Sequence, residues 1–467
     1  MKERFDLIVA NGIVVTPGEA GKRDIGIRAG EIAVVSDRLE GDAATVIDAS
    51  GQYVLPGVID VHVHFNEPNF GHWEGFATGS AALAAGGCTT FADMPLNGNP
   101  PTVNLAALRM KAAAAAGSTA VDYVFWGGLM PGHVPDLEAL WQEGVIGFKA
   151  FLSDPGGEGE GRFRQADDVT LYEGMKRIAS FGGLLALHAE SDAITSALAA
   201  EAARDGRVTA LDYAASRPVI AELEAVNRAL FFAEQTGCRL HFVHMSSPGA
   251  VRMIEQAKRR GMDVSLETCP HYLMLNETDM ERLGPVAKCA PPLRSEQDRL
   301  GLWELLEDGK IDMIASDHSP CPTPLKDALS YFEAWGGISG AQSTLELLFD
   351  EGVARRGMPV TRLAELLSER PARRFGLYPR KGAIAPGADA DLTVLHPNRP
   401  YTLTQEQLYY KHRHSPYAGR TFSCKVTATV LRGRTVYTAD QGIVRPDGGR
   451  WLHGKNETSA RTGGADV

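Results

Sequence analysis

The chain has 467 residues, of which 44% are hydrophobic and 22% are charged, and its formal net charge is −11. This length indicates a large domain plus a smaller one, and the acidic balance argues against nucleic acid as a partner, because phosphate binding requires a basic surface. The sequence has no run of about 18 apolar residues, so we expect no membrane span. Its start is charged and its cysteines are scattered, with none in CxxC spacing, so we expect a cytoplasmic protein with reduced thiols.

The two ends of the chain share a pattern of short alternating apolar and polar segments separated by turn residues. Such segments lie at residues 6–9, 12–16, 24–27, 31–35, 391–395 and 428–437. Neither end alone supplies enough strands for a core, so we expect both ends to form one small β-sandwich.

The middle of the chain alternates apolar strands with helical stretches, which is typical of parallel β/α architecture. The candidate strands are residues 54–65, 88–94, 122–126, 146–151, 184–189, 240–245, 263–267 and 311–316. Eight strands over this length predict an α/β fold, a (β/α)8 TIM barrel, with a doubly wound sheet as the alternative. The predicted division is sandwich at 1–54 and 380–445, barrel at 55–379, and a flexible tail at 446–467.

Six residues with side chains that can bind metals fall at the carboxyl ends of predicted strands, where barrel enzymes place their active sites. They are His62, His64, Lys149, His188, His244 and Asp317. The two-residue spacing of the first pair puts both imidazoles on one face of a strand. Each residue alone is more often a core, capping or surface residue, but chance does not easily place all six on one rim.

This set of side chains indicates a binuclear metal site. Imidazoles and a carboxylate suit two divalent cations, with zinc favoured and cobalt, manganese or iron also allowed. Two adjacent cations need a bridging anion, and an ammonium group has the wrong charge for this role. Carbon dioxide added to the neutral amine of Lys149 gives a carbamate, and partial desolvation of the lysine favours that addition. The cations would then acidify a water and polarise a carbonyl.

Longer motifs around these residues resemble the cyclic-amidohydrolase branch of the metal-dependent amidohydrolases, which includes dihydroorotases, hydantoinases and allantoinases. The resemblance covers nearly the whole chain, including residues 55–64 and 382–392. Four segments are similar to allantoinases in particular: residues 72–76, 93–97, 267–272 with 288–294, and 316–321.

The resemblance implies that a carbamylated Lys149 bridges two metals. His62, His64 and Asp317 would hold one metal, and His188 and His244 the other. It also implies that Asp317 takes a proton from the attacking water and delivers it to the leaving nitrogen. The implied reaction is hydrolysis of the hydantoin ring of allantoin to give allantoate, in a homotetramer.

The resemblance further implies a set of substrate-binding residues: Asn66, Asn97, Cys289, Ser319 and Gly337. Allantoin is a neutral ureide, so we expect neutral side chains and backbone groups in the pocket rather than a cationic clamp. Asn66 fits this expectation, because dihydroorotases carry at this position an arginine that grips a carboxylate.

Two segments depart from the allantoinase pattern, and two alternative functions stay open. Residues 69–71 and the glycine-rich segment 153–161 differ from the allantoinase pattern. A hydantoinase or dihydropyrimidinase is the alternative enzyme, although residues 150–162 lack the tyrosine that hydantoinases carry there. A non-catalytic scaffold of the same fold is the alternative from another class of protein, although such relatives lack several of the ligands that this chain keeps.

Overall fold

A computed structural model describes residues 3–157 and 161–453. In this part of the chain the strands β1 to β20 are, in order, Glu3–Thr16, Glu19–Arg28, Glu31–Ser36, Gly41–Asp48, Tyr53–Pro56, Val58–Val63, Cys88–Asp93, Asp122–Phe125, Gly127–Gly128, Phe148–Phe151, Leu184–His188, Arg239–Phe242, Val264–Thr268, Met313–Ile314, Leu392–His396, Tyr401–Thr402, Thr421–Phe422, Lys425–Leu431, Arg434–Thr438 and Gly442–Ile443.

The α-helices α1 to α14 of the same residues alternate with these strands or pack beside them. They are Phe76–Ala85, Leu105–Ala115, Leu137–Glu143, Asp168–Ser180, Asp192–Arg204, Ala210–Ser216, Val219–Thr236, Pro248–Arg259, Pro270–Met274, Glu277–Leu283, Glu296–Glu307, Thr344–Leu348, Thr361–Ala364 and Arg370–Arg374. Within the described ranges, no helix combines the length and the apolar character needed to cross a membrane.

The parallel strands of the middle of the chain close into a barrel. Strands β6, β7 and β8 pair in one sheet, and β9 to β14 pair in a second. The amide of Ile146 donates to the carbonyl of Phe125, which joins β8 to the segment before β10. A bridge between Val63 and His318 joins β6 to the segment after β14. This closure confirms the (β/α)8 barrel and excludes an open, doubly wound sheet.

The two ends of the chain form one nine-stranded sheet, with the order β20-β19-β18-β15-β5-β1-β2-β3 and with β4 paired to β1. Val54 of β5 pairs with Val14 on one side and with Val394 on the other, so β5 joins the N-terminal strands to the C-terminal ones. Buried aliphatic side chains from both ends form a core separate from the barrel core. The prediction that both ends build one β-domain is therefore confirmed.

The predicted strand at residues 54–65 is wrong as a single element. It comprises β5, which belongs to the nine-stranded sheet, and β6, which opens the barrel. Gly57 separates them, and a Cβ added there would lie 2.1 Å from Oγ1 of Thr89. Continuous hydrophobicity conceals this change of sheet because the chain is buried in both places.

The prediction of a flexible tail from residue 446 is also wrong for residues 446–453. The amide of Gly449 donates to the carbonyl of Thr119, and that of Leu452 donates to the carbonyl of Tyr123. Leu452 is buried against the barrel. Polar composition predicted flexibility, but the apolar Leu452 and these backbone hydrogen bonds hold the segment in place. Residues 454–467 lie outside the described part of the chain.

Candidate active site

The residues predicted as metal ligands come together at the carboxyl ends of the barrel strands. His62 lies in β6, and His64 and Asp317 follow β6 and β14. Both Nε2 atoms face one carboxylate oxygen: Oδ1 of Asp317 lies 3.2 Å from His62 and 3.3 Å from His64. One ligand atom from each of the three residues lies within 4.8 Å of the others. This geometry fits a single divalent cation.

A second pair of imidazoles lies beside this group. His188 ends β11 and His244 follows β12, and their atoms Nδ1 and Nε2 are 2.9 Å apart. The ring of His244 also lies 5.5 Å from the ring of His62, centroid to centroid. The two groups of ligands are thus neighbours, as a binuclear centre requires.

Lys149 lies in β10, fully buried, and its Nζ has no hydrogen-bond partner among the described residues. Burial lowers the pKa of this amine to about 8, although the negative charge of Asp317 opposes the shift. A buried, unpaired ammonium is costly, so an unusually large fraction of this amine is neutral near pH 7 to 8. This unpartnered nitrogen therefore fits the bridging carbamate that the sequence suggests.

The imidazoles are also prepared for metal binding. Burial lowers the pKa of His62, His188 and His244, although the hydrogen bond to Glu190 opposes the shift at His188. Neutral rings keep a lone pair free for a cation. The donor set consequently suits zinc or a similar divalent ion.

Two buried glutamates orient the histidines, and sequence reasoning assigned neither a role. Oε1 of Glu267 accepts from Nδ1 of His62 at 2.5 Å, which leaves Nε2 of that ring to face Asp317. Oε2 of Glu190 accepts from Nε2 of His188 at 2.9 Å, which leaves Nδ1 to face His244. Carboxylates commonly fix metal-binding histidines in this way. Their position in the sequence was the available signal, since Glu267 ends the predicted strand 263–267 and Glu190 follows His188 by two residues.

Glu190 is itself held in place by a cation. Burial opposes ionisation, but the Arg217 guanidinium and the hydrogen bond from His188 lower the pKa of Glu190 to about 2. Glu190 is therefore a carboxylate at neutral pH and favours the tautomer of His188 that carries its proton on Nε2.

Replacing Glu267 with glutamine is expected to weaken metal binding by roughly 10- to 100-fold, because Glu267 pairs with His62 and His241 through its two oxygens, whereas glutamine has only one acceptor oxygen. Competition with a chelator measures the change. Glu346→Gln is the control, since Glu346 is equally buried but accepts from Val426 and Tyr401 near the nine-stranded sheet. Equal metal affinity in both variants would contradict this role for Glu267.

The backbone at the site adopts unusual conformations. His244, Asp317 and Asn66 have φ values of 41°, 46° and 66°. Residues other than glycine seldom adopt positive φ, and such strain is concentrated at functional sites. The surrounding barrel therefore holds these three side chains in orientations that an isolated loop would not favour.

The four candidate histidine ligands and Asp317 line a cavity of about 1000 Å³. Its wall includes the predicted residues Asn97 and Ser319, together with the aromatic rings of Trp73 and Trp335. It also includes the cationic Arg217 and Lys288, together with Arg162. The cavity wall as a whole thus carries basic as well as neutral side chains, and the neutral substrate pocket stays a prediction.

The other predicted substrate residues are placed less directly. Asn66 is buried, and its Oδ1 accepts from Nδ2 of Asn97 at 3.0 Å. The carbonyl of Cys289 accepts from the hydroxyl of Tyr213 at 3.1 Å. A Cβ at Gly337 would lie 2.3 Å from the carbonyl oxygen of Ser319. Asn66, Cys289 and Gly337 thus contact cavity residues and are not themselves among the described residues that line the cavity.

One further acidic cluster has ligand spacing but a different explanation. Asp122, Asp389 and Asp391 lie together and buried. Nζ of Lys381 lies 2.6 to 2.9 Å from all three, and Arg432 pairs with Asp122. Arg380 also pairs with Asp389, so three cations balance the three carboxylates, and the cluster is an ion-pair network between the barrel and the nine-stranded sheet.

Comparison with known proteins agrees with this geometry. A model described as Amidohydrolase family matches residues 53–436. An allantoinase from Rubrobacter xylanophilus is 49% identical over 98% of this chain and 99% of its own length. An allantoinase from Escherichia coli strain SE11 is 44% identical over 95% and 98% of the two chains.

Solved structures give the same fold. The L-hydantoinase (dihydropyrimidinase) from Arthrobacter aurescens has a TM-score of 0.93 and 34% identity over 96% of this chain and 100% of its own. A D-hydantoinase has a TM-score of 0.89 and 30% identity over 96% and 99% of the two chains. From its barrel, its ligand set and these matches, the chain belongs to the amidohydrolase family.

Proposed function

We propose that this chain hydrolyses a ring amide of allantoin to give allantoate, using two divalent cations. The observation that carries the substrate is the 44% to 49% identity to allantoinases over nearly the full chain. The site supports the same class of chemistry, because four histidines and Asp317 line one cavity, and the unpartnered Nζ of Lys149 lies buried against Phe151 of the cavity wall. A scaffold without catalysis would not need this complete ligand set.

The proposed cations divide between the two groups of ligands. His62, His64 and Asp317 would hold one, His188 and His244 the other, and Lys149 would bridge them as a carbamate. Zinc is the proposed metal, while cobalt, manganese and iron accept the same donors. When bound, the two cations would lower the pKa of a water towards neutrality and polarise the carbonyl under attack.

Asp317 is the proposed proton carrier. Its side chain lines the cavity, and its Oδ1 faces both His62 and His64. This arrangement leaves Oδ2 to accept the proton of the attacking water and to return it to the leaving ring nitrogen. Glu267 and Glu190 keep the imidazoles in place while this proton moves.

Asn97 and Ser319 are the proposed hydrogen-bonding partners of the ureide, because both line the cavity. We expect Ser319→Ala to raise KM or lower kcat for allantoin with unchanged metal content, at about 1 kcal/mol for one lost neutral hydrogen bond. Asn97→Ala should act similarly. Asn66→Ala should act through Asn97, because Asn66 accepts a hydrogen bond from the side-chain amide of Asn97. Steady-state kinetics measure these effects. Parent-like values in all three variants would contradict this pocket.

A hydantoinase or dihydropyrimidinase is the second candidate, because hydantoinases have the same fold at a TM-score of 0.93. The test compares kcat/KM for allantoin, hydantoin and dihydrouracil on one metal-analysed preparation. We expect allantoin to be preferred, with allantoate identified as its product. Preference for either unsubstituted ring would overturn the proposed substrate while leaving the metal site intact.

Self-association and location complete the proposal. We infer a homotetramer, supported by exposed apolar side chains on two neighbouring helices, among them Val169 at 72% and Phe231 at 58% exposure. Light scattering of the parent and of Phe231→Glu tests this inference, and a monomeric parent would contradict it.

A cytoplasmic location is supported by six free, buried cysteines, as a reducing compartment favours.

A further inference from the structure

Two buried lysines in this structure donate to backbone carbonyls. Lys326 is 5% exposed, and its Nζ donates to the carbonyls of Pro285, Trp335 and Gly337 at 2.9, 2.8 and 2.7 Å. Lys288 is 4% exposed, and its Nζ donates to the carbonyls of two residues at 3.0 and 2.5 Å, Phe332 and Ala334. Across the described ranges, no carboxylate forms an ion pair with either lysine.

Four of these five carbonyls belong to one short segment, residues 332–337. Residues 332–336 line the cavity that contains the metal ligands. The same segment also contacts Ser319, because Nε1 of Trp335 donates to the carbonyl of Ser319 at 3.1 Å. The two lysine nitrogens therefore hold the backbone of one wall of the active-site cavity through hydrogen bonds.

This arrangement is expensive for the folded protein. Burial lowers the pKa of Lys326 to about 8 and that of Lys288 to about 7, and the two positive charges also repel each other. An ammonium group offers three donors around one atom, which no neutral side chain does. The ring of Tyr213, whose centroid lies 4.5 Å from Nζ of Lys288, offsets part of the cost. In return for this cost in stability, the buried amines hold several carbonyls in fixed directions.

We propose that Lys326 and Lys288 are positioning residues for substrate recognition, which set the shape of the cavity wall at residues 332–337. The amide that reacts must lie at the metal ligands, and no residue of this wall is one of those ligands. The wall therefore faces the rest of the substrate, which includes the ureido substituent that distinguishes allantoin from hydantoin. This part of the inference rests on the proposed function.

Lys326→Met and Lys288→Met remove the donors but keep similar side-chain lengths. We expect KM for allantoin to rise by about 10- to 100-fold, the scale of a displacement of roughly 1 Å, with metal content and kcat near the parent values. KM for unsubstituted hydantoin should change less. Lys258→Met is the matched control, because Lys258 pairs with Glu255 and Asp312 and is not among the cavity-lining residues.

Hydrogen exchange of the amides in residues 325–338 gives a readout that needs no substrate. We expect faster exchange in both variants and parent-like exchange in Lys258→Met. Lys288→Met frees two carbonyls rather than three, so it is the milder variant if Lys326→Met does not fold. A parent that fails to open allantoin would overturn the proposed function, whereas faster exchange would still support the positioning role. Unchanged exchange, or equal losses for both substrates together with lost metal, would overturn the inference.

Discussion

Lys149→Ala is expected to lose most of its bound metal and nearly all of its hydrolytic activity. Nζ of Lys149 is buried without a partner beside the imidazoles, so alanine removes the group that would bridge the cations. Two cations held in these neighbouring groups of ligands would then repel each other without an intervening anion. We expect the hydrolysis rate to fall by roughly 10²- to 10³-fold or more, because removing one electrostatic stabiliser from an active site has an effect of this size. Elemental analysis and an allantoin assay on the same sample measure both effects.

Chemical rescue separates the carbamate from a general defect of folding. Acetate or propionate added to Lys149→Ala should restore part of the metal content and rate, because a small carboxylate can occupy the vacated space. The same additive should not change Lys258→Ala, which alters a lysine outside the cavity wall. A Lys149→Ala protein with full metal content and full rate would contradict the bridging role.

Asp317→Asn is the other substitution for which we expect a large effect. The amide oxygen can still act as a ligand, but the side chain can no longer accept a proton. We expect partial retention of metal with a rate loss of roughly 10²- to 10⁴-fold, the range that general acid–base catalysis supplies. Single-turnover kinetics on metal-analysed protein measure the chemical step.

Asp154→Asn is the matched control for this substitution. Asp154 also lines the cavity, but it pairs with Arg162 and is not part of the histidine group. Its rate should stay close to that of the parent. Near-normal turnover by Asp317→Asn would show that a different group carries the proton.

The barrel and the grouping of the candidate ligands could be predicted because both depend on local, periodic information. Apolar segments mark the strands, and a two-residue spacing places His62 and His64 on one face. The carboxyl ends of parallel strands meet at one rim, which brings distant residues such as His188 and Asp317 together without any knowledge of packing.

Other features could not be predicted because they depend on contacts between distant parts of the chain. At Gly57, where the chain passes from one sheet to the other, Thr89 lies too close for a side chain, which local hydrophobicity does not reveal. Glu267 and Lys326 look like ordinary charged residues in the sequence. Only the structure shows that one orients His62 and the other binds three carbonyls.

The central claim is that a pair of cations held by this ligand set opens the ring of allantoin. Metal-free protein, prepared with a chelator and supplied with bicarbonate, can be titrated with zinc while allantoate formation is measured. The account predicts negligible turnover without metal and a rise that levels off at two equivalents per chain. Full activity without metal or at one equivalent, or no allantoate with two cations bound, would contradict it.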